Sequence, residues 1–172
     1  MSQTHYYYAL NRKGEGPMPQ HEGYAATLPR LGRRIMSKKK PAPLIRWSAG
    51  LHKLKAITIR QPWAWLVVNG YKDIENRKWA THHRGPLLIH AGSNRADLHI
   101  AVKDHIERKC GVKIPDEYVK GAIIGVVDVV DCVTTHPSAW FNKSGFGWVL
   151  ARPRRLPTRP CKGKLKIFGP DL

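Results

Sequence analysis

The sequence predicts a small α+β barrel of five to six strands with two helices, and three observations predict it. Short alternating or β-branched runs recur at residues 56–60, 73–77, 87–91, 122–133, 146–151 and 164–168. Only two stretches, near 62–69 and 94–110, carry helical signals. The later strands follow one another without intervening helices, which argues for a curled sheet and against a βαβ nucleotide fold.

Each element has a local reason. Ala56-Ile57-Thr58-Ile59-Arg60 alternates as a strand does. Pro62 suits the first turn of a helix through Trp63, Trp65, Leu66 and Val67, and Asn69-Gly70 stops it. Residues 73–77 read as a second strand, and Gly85-Pro86 opens a third. Over 94–110, Leu98, Ala101, Val102, Ile106 and Cys110 form an apolar stripe, with Ser93 or Asn94 as N-cap and Gly111 as stop. The run 122–133 is rich enough in Val and Ile to be a central strand buried on both faces for part of its length. Pro153, Pro157 and Pro160 are expected to separate the last two strands.

Residues 1–55 show no sustained period and are broken by Gly and Pro, with a Ser37-Lys38-Lys39-Lys40 run. They read as a mostly disordered basic N-terminal arm ahead of a domain at 56–170. Met36-Ser37-Lys38 also has the form of an alternative translation start.

Thirty Lys plus Arg against twelve Asp plus Glu give a formal charge of +18, shared as +9 on 1–55 and +9 on 56–172. The domain is thus basic in its own right, densest over Arg152, Arg154, Arg155, Arg159, Lys162, Lys164 and Lys166. Such charge attracts polyanions and makes a nucleic acid the expected partner. The other sense of the charge is a solvated surface or a ribosome-associated arm. The three cysteines are widely spaced with no CxxC pair, which suggests neither disulfides nor zinc. Without an apolar run near ~20 residues or a secretory signal, a cytoplasmic protein with no membrane association is expected.

The chemistry concentrates at residues 72–77. In a strand, Asp73, Glu75 and Arg77 share one face, with Glu75 and Arg77 ~7 Å apart and able to couple. Lys72 stands at the mouth, just after the Gly70 turn. Among the aromatic residues, Trp65 and Trp148 are assigned to the core. Trp63, beside Arg60, and Trp140-Phe141, in a polar loop, are candidates for base stacking. His82, His83, His90 and His136 lack ligand spacing, so no metal or other cofactor is expected. His90 alone is singled out, at the end of a strand whose barrel face is expected to open toward Lys72.

These stretches resemble the ASCH domain family, a branch of the PUA-like barrels. Its Gly-x-Lys-x-x-Glu-x-Arg pattern is met by Gly70, Lys72, Glu75 and Arg77. Arg60-Gln61-Pro62-Trp63-Ala64, Arg84-Gly85-Pro86-Leu87-Leu88-Ile89-His90-Ala91, Gly121-Ala122-Ile123-Ile124-Gly125 and Gly145-Phe146-Gly147-Trp148-Val149-Leu150 follow in the family's order. The resemblance covers roughly residues 56–168. It implies a PUA-like β-barrel with the Lys/Glu/Arg motif lining a cleft between barrel and helix, and RNA, single-stranded forms included, as the ligand. Arg60, Trp63, Lys72, Glu75, Arg77, Arg84, His90 and Trp140 are then the expected RNA-binding residues, and no protein partner is inferable. The alternative is an RNA-processing hydrolase, a ribonuclease or a deacylase similar to N4-acetylcytidine amidohydrolases, with Lys72 and Glu75 catalytic. Those amidohydrolases carry a Thr three positions after the Lys, where this chain has Glu75. Elementary chemistry favours binding: a lysine is protonated at neutral pH and a poor base, and a carboxylate between two cations resists taking up a proton.

Overall fold

The computed structural model describes residues 40–95 and 100–172, without the side chains of 94, 95 and 100–102. Six strands and two helices occur in the order β1 (Ala56–Gln61), α1 (Trp63–Val68), β2 (Ile74–Arg77), β3 (Gly85–Arg95), α2 (Ile100–Cys110), β4 (Ala122–Val133), β5 (Phe146–Pro160), β6 (Ile167–Phe168). They build one mixed sheet of order β2-β5-β4-β3-β1-β6, in which β1 and β3 are parallel. The α+β class is as expected, but the backbone ladder does not close into a full barrel. Its two edges are short: β2 has four residues, and β6 pairs with β1 only through Phe168 to Ala56 and Ile167 to Ile57. A side chain spans the gap instead, since Arg77 Nη2 at the end of β2 donates to Thr58 O on β1 at 2.7 Å.

Alternation along the strands makes two apolar layers. Ile57, Ile59, Leu87, Ile89, Val127, Val129 and Trp148 face Ala64, Val67 and Val68 of α1. On the other face Ala56, Leu88, Ile123, Val126 and Leu156 pack with Ile45, Trp47, Leu51 and Leu54. Strand β4 is therefore buried on both faces from Ala122 to Val129, the part-length burial its composition implies. Close seating of α1 depends on Gly125, where a Cβ would come within 2.6 Å of Val68 Cγ1 and 2.7 Å of Arg154 O.

Three local expectations change. Residues 40–55, read as the end of the arm, pack on the domain. Ala42 N donates to Asn69 O, Arg155 N to Pro43 O and Ile45 N to Arg155 O. Apolar Ile45, Trp47, Leu51 and Leu54, scattered among Pro and Gly, cover a sheet face that would otherwise meet water. The remainder of the expected arm, 1–39, lies outside the described residues.

Strand β5 runs unbroken through Pro153 and Pro157 to Pro160. Its pairing with β2 ends at Ile74 with Val149, so past that point one edge lies outside any main ladder and tolerates residues without an N–H. Ser93 and Asn94 lie within β3, in extended backbone that continues to Arg95, and so do not cap a helix. The α2 side chains Ile106 and Cys110 still pack inward, against Leu66, Tyr71 and Ile114; Leu98 lies outside the described residues. No helix among the described residues is long and apolar enough to cross a membrane.

Candidate functional site

The motif follows directly from the end of α1. Gly70, at φ 79°, turns the chain out of the helix, and Tyr71 N and Lys72 N both donate to Leu66 O. That turn delivers Lys72 beneath the start of β2, where it is buried. Its Nζ donates to Ile74 O and, at 2.8 Å, to Glu75 Oε2. Across β2, Glu75 and Arg77 share a face as strand alternation requires, and Arg77 Nη2 lies 3.2 Å from Glu75 Oε1. Glu75 thus bridges two cations, one with each oxygen.

Exposure grades outward along this row. The side chains of Lys72 and Glu75 are 5% and 11% exposed, while that of Arg77 is 24% exposed. Arg77 spends Nη2 on Thr58 O and Glu75, and its Nε is buried without a partner. The glycines of 145–147 let neighbouring chain approach the strand. A Cβ at Gly145 would stand 2.5 Å from Arg77 O, and one at Gly147, opposite Asn76, would stand 2.6 Å from Phe141 Cδ2.

The other face of β2 holds the 138–142 loop. Asn76 Nδ2 donates to Trp140 O at 2.8 Å, and Asn76 Oδ1 accepts from Asn142 N at 2.9 Å. Asp73, expected on the face of Glu75, precedes β2 and meets this loop instead, its Oδ1 accepting from Ser138 Oγ at 2.6 Å. Trp140 Nε1 donates to Tyr71 O, and its ring carries Lys109 Nζ at 3.7 Å from the centroid. Burial, foremost, pushes the Lys109 ammonium below its usual pKa. Desolvation likewise raises the Tyr71 phenol. Trp63 meets Trp140 edge-on, with centroids 6.2 Å apart. Trp140 is therefore fixed in a layer and partly covered, and its loop position in the sequence did not make it a free ring.

A cavity of about 290 Å³ opens beside Lys72, between the end of α1 and residues 150–153 of β5. Asn69, Gly70, Lys72, Asp73 and Pro153 border it, with Lys40 and Ala42 from the packed segment ahead of β1. Glu75 and Arg77 do not line it. The cleft expected to gather all three motif residues is in fact two surfaces: Lys72 borders the cavity, and Arg77 faces the β1 edge.

The remaining expected residues scatter. Arg60 is exposed on β1. Arg84 stands just ahead of β3, held by Asp131 at 3.0 Å and by the carbonyls of Thr81 and His83. His90 does not face the motif: it lies inside β3, on the face away from α1, 1% exposed. Its Nε2 donates to Cys161 O at 3.1 Å, its Nδ1 is buried without a partner, and desolvation lowers its pKa. The expectation placed it at a strand end; because β3 continues to Arg95, it is mid-strand, and its parity with Leu88 sends it to the other layer. Among the described residues, no three His, Cys, Asp or Glu side chains converge as metal ligands would.

Sequence reasoning passed over Thr58. Its carbonyl accepts from Arg77 while its hydroxyl donates to Lys164 O at 3.0 Å, so one residue joins the motif to the β5–β6 loop. Only the pairing of distant strands brings these together, and no local signal marks it.

Two relatives align with the chain. Activating signal cointegrator 1 of Mus musculus is 27% identical over 168 residues, 91% of this chain and 29% of that protein. The protein of the same name from Homo sapiens is 29% identical over 127 residues, 67% of this chain and 22% of that protein. The chain thus spans less than a third of the length of either relative. The ASCH domain profile matches residues 57–159, which run from β1 almost to the end of β5 and include the whole Lys72–Glu75–Arg77 row. On that match, over more than half of its length, the chain belongs to the ASCH domain family.

Proposed function

We propose that the domain binds RNA, single-stranded RNA foremost, through the exposed cations around Arg77, with Lys72 and Glu75 buried behind it as the frame that aims the guanidinium. The observation that carries this reading is the use of Glu75. Both of its oxygens are engaged by cations, at 2.8 Å by Lys72 and 3.2 Å by Arg77. A carboxylate so placed orients cations well, and with each oxygen already held by a cation it has neither one turned to a substrate hydroxyl. Lys72 Nζ is likewise used inside the fold, on Ile74 O and Glu75. Arg77 keeps about a quarter of its side chain exposed, next to exposed Lys78. Together with exposed Arg60 this supplies phosphate contacts, and half-buried Trp63 supplies a ring for a base. The three widely spaced cysteines, with no CxxC pair among them, suit the cytoplasm as its setting.

The test is fluorescence anisotropy with a labelled mixed-sequence single-stranded RNA over a salt series. Affinity should fall with a log–log slope of about −0.7 for each phosphate neutralised. Arg60→Gln and Arg77→Gln should each make the slope shallower. Binding that ignores salt would refute the reading.

One observation favours a hydrolase as second reading, a ribonuclease or an N4-acetylcytidine amidohydrolase-like deacylase. Lys72 borders a cavity of about 290 Å³, close to the ~300 Å³ lower bound of small-molecule sites. Mass spectrometry after incubation with RNA and with N4-acetylcytidine decides it. Turnover that disappears in Lys72→Met would establish the hydrolase, and intact substrates would dismiss it.

A further inference from the structure

The loop between β5 and β6 presents Lys162-Gly163-Lys164-Leu165-Lys166, with all three lysines exposed and Leu165 92% exposed at the tip. An apolar side chain so fully in water, ringed by like charges, has no role in holding this fold. The loop is nevertheless firmly seated. Cys161 N donates to Gly121 O, and Cys161 O accepts from His90 Nε2 at 3.1 Å. Gly163 lies flat on the buried His90 ring: a Cβ there would be 2.5 Å from His90 Cε1. Thr58 Oγ1 holds Lys164 O, and Lys166 turns at φ 56° into the β6 pairing with β1.

Because the loop's backbone is already held in place, only the lysine side chains lose freedom when they meet a partner. Alternate residues sit at most ~7 Å apart, a spacing that suits successive phosphates of one strand. Among the described residues, their single ion pair is Lys164 with Asp171 at 3.7 Å, between side chains 51% and 91% exposed. Such a contact is weak and easily exchanged for a phosphate. The loop also adjoins the motif, because Thr58 bonds Lys164 through its hydroxyl and Arg77 through its carbonyl. One leucine is too little apolar surface to anchor in a bilayer.

We infer that the Lys162–Lys166 loop is a second RNA-contact element, which extends the Arg77 surface across Thr58. Lys162, Lys164 and Lys166 take consecutive phosphates, and Leu165 lies against an unpaired base. This inference rests on the RNA-binding reading above, and one experiment separates the two.

Wild type, a Lys162→Gln/Lys164→Gln/Lys166→Gln triple variant, the matching triple Lys→Arg variant and Leu165→Ala are titrated, as full chains, with the labelled single-stranded RNA from 50 to 200 mM salt. Circular dichroism melting checks that each variant is folded. Loss of three phosphate contacts should reduce the slope by about 2, so the Gln variant should lose roughly 20-fold less affinity than wild type across that range. The Arg variant should keep the wild-type slope. Leu165→Ala should weaken binding a few-fold at an unchanged slope. Salt-dependent wild-type binding with an unaltered slope in the Gln variant overturns this inference alone. No wild-type binding to RNA overturns both readings, as does binding of the loop to anionic vesicles or an acidic peptide in place of RNA.

Discussion

Replacing Glu75 by Gln tests what the motif does in the fold. The carboxylate is the one anion between Lys72 and Arg77, at 2.8 and 3.2 Å, and both Lys72 and Glu75 are nearly enclosed. Removing one partner of a buried ion pair costs about 3–5 kcal/mol, because the other charge stays desolvated. Arg77 is partly exposed and can recover some hydration, which places the expected loss for Glu75→Gln near the lower end, about 3 kcal/mol. Lys72→Met should cost less, roughly 1–2 kcal/mol, since Glu75 keeps Arg77 and the methionine fills the lysine stem's volume. Urea unfolding at neutral pH, followed by tryptophan fluorescence, measures both, with buried Trp148 opposite Glu75 as the nearest reporter. A loss under about 1 kcal/mol for Glu75→Gln, or a larger loss for Lys72→Met, would refute the view that Glu75 organises the row.

Three other outcomes follow from the same structure. His90 is buried with its pKa lowered by desolvation, so below its unfolded value of about 6.5 the unfolded chain takes up a proton that the native state refuses. Stability should therefore be insensitive to this group above that pH and fall by up to about 1.4 kcal/mol per pH unit below it, until the lowered native pKa is reached. Urea midpoints at pH 7.5 and 5.5 should show this slope in wild type and a flatter one in His90→Gln. Gly125→Ala should destabilise by about 1–3 kcal/mol or more, read as a lowered melting temperature, because its Cβ would meet Val68 and the Arg154 carbonyl. Arg155→Ala removes the Nε bond to Ala42 O at 2.8 Å, and trypsin should then cut faster after Arg46, as peptide mass spectrometry would show.

Much of the site was legible because it is local. Alternation places Glu75 and Arg77 together, and the Gly70 turn places Lys72 beside them, so the ion row needs no tertiary knowledge. The helix α1, the long β4 and the small glycines of 145–147 also declare themselves through composition. What stayed hidden depends on chain segments far apart. Whether Arg77 would reach Thr58 O, nineteen residues earlier, is set by how the sheet curls. The parity of His90 depends on β3 running on to Arg95, past polar residues that look like a helix cap. Residues 40–55 carry their apolar groups without a period, and their role emerges only once the sheet face they cover exists. Three prolines in one strand read as breaks until β5 is seen to have a side free of β2.

The most direct measurement of the central claim is photo-crosslinking of the full chain to a single-stranded RNA containing 4-thiouridine, with the linked peptides identified by mass spectrometry. Cross-links within residues 58–78 and 161–168, lost as salt is raised, are the predicted result. Cross-links confined to residues 1–39, with none on the domain, would contradict it.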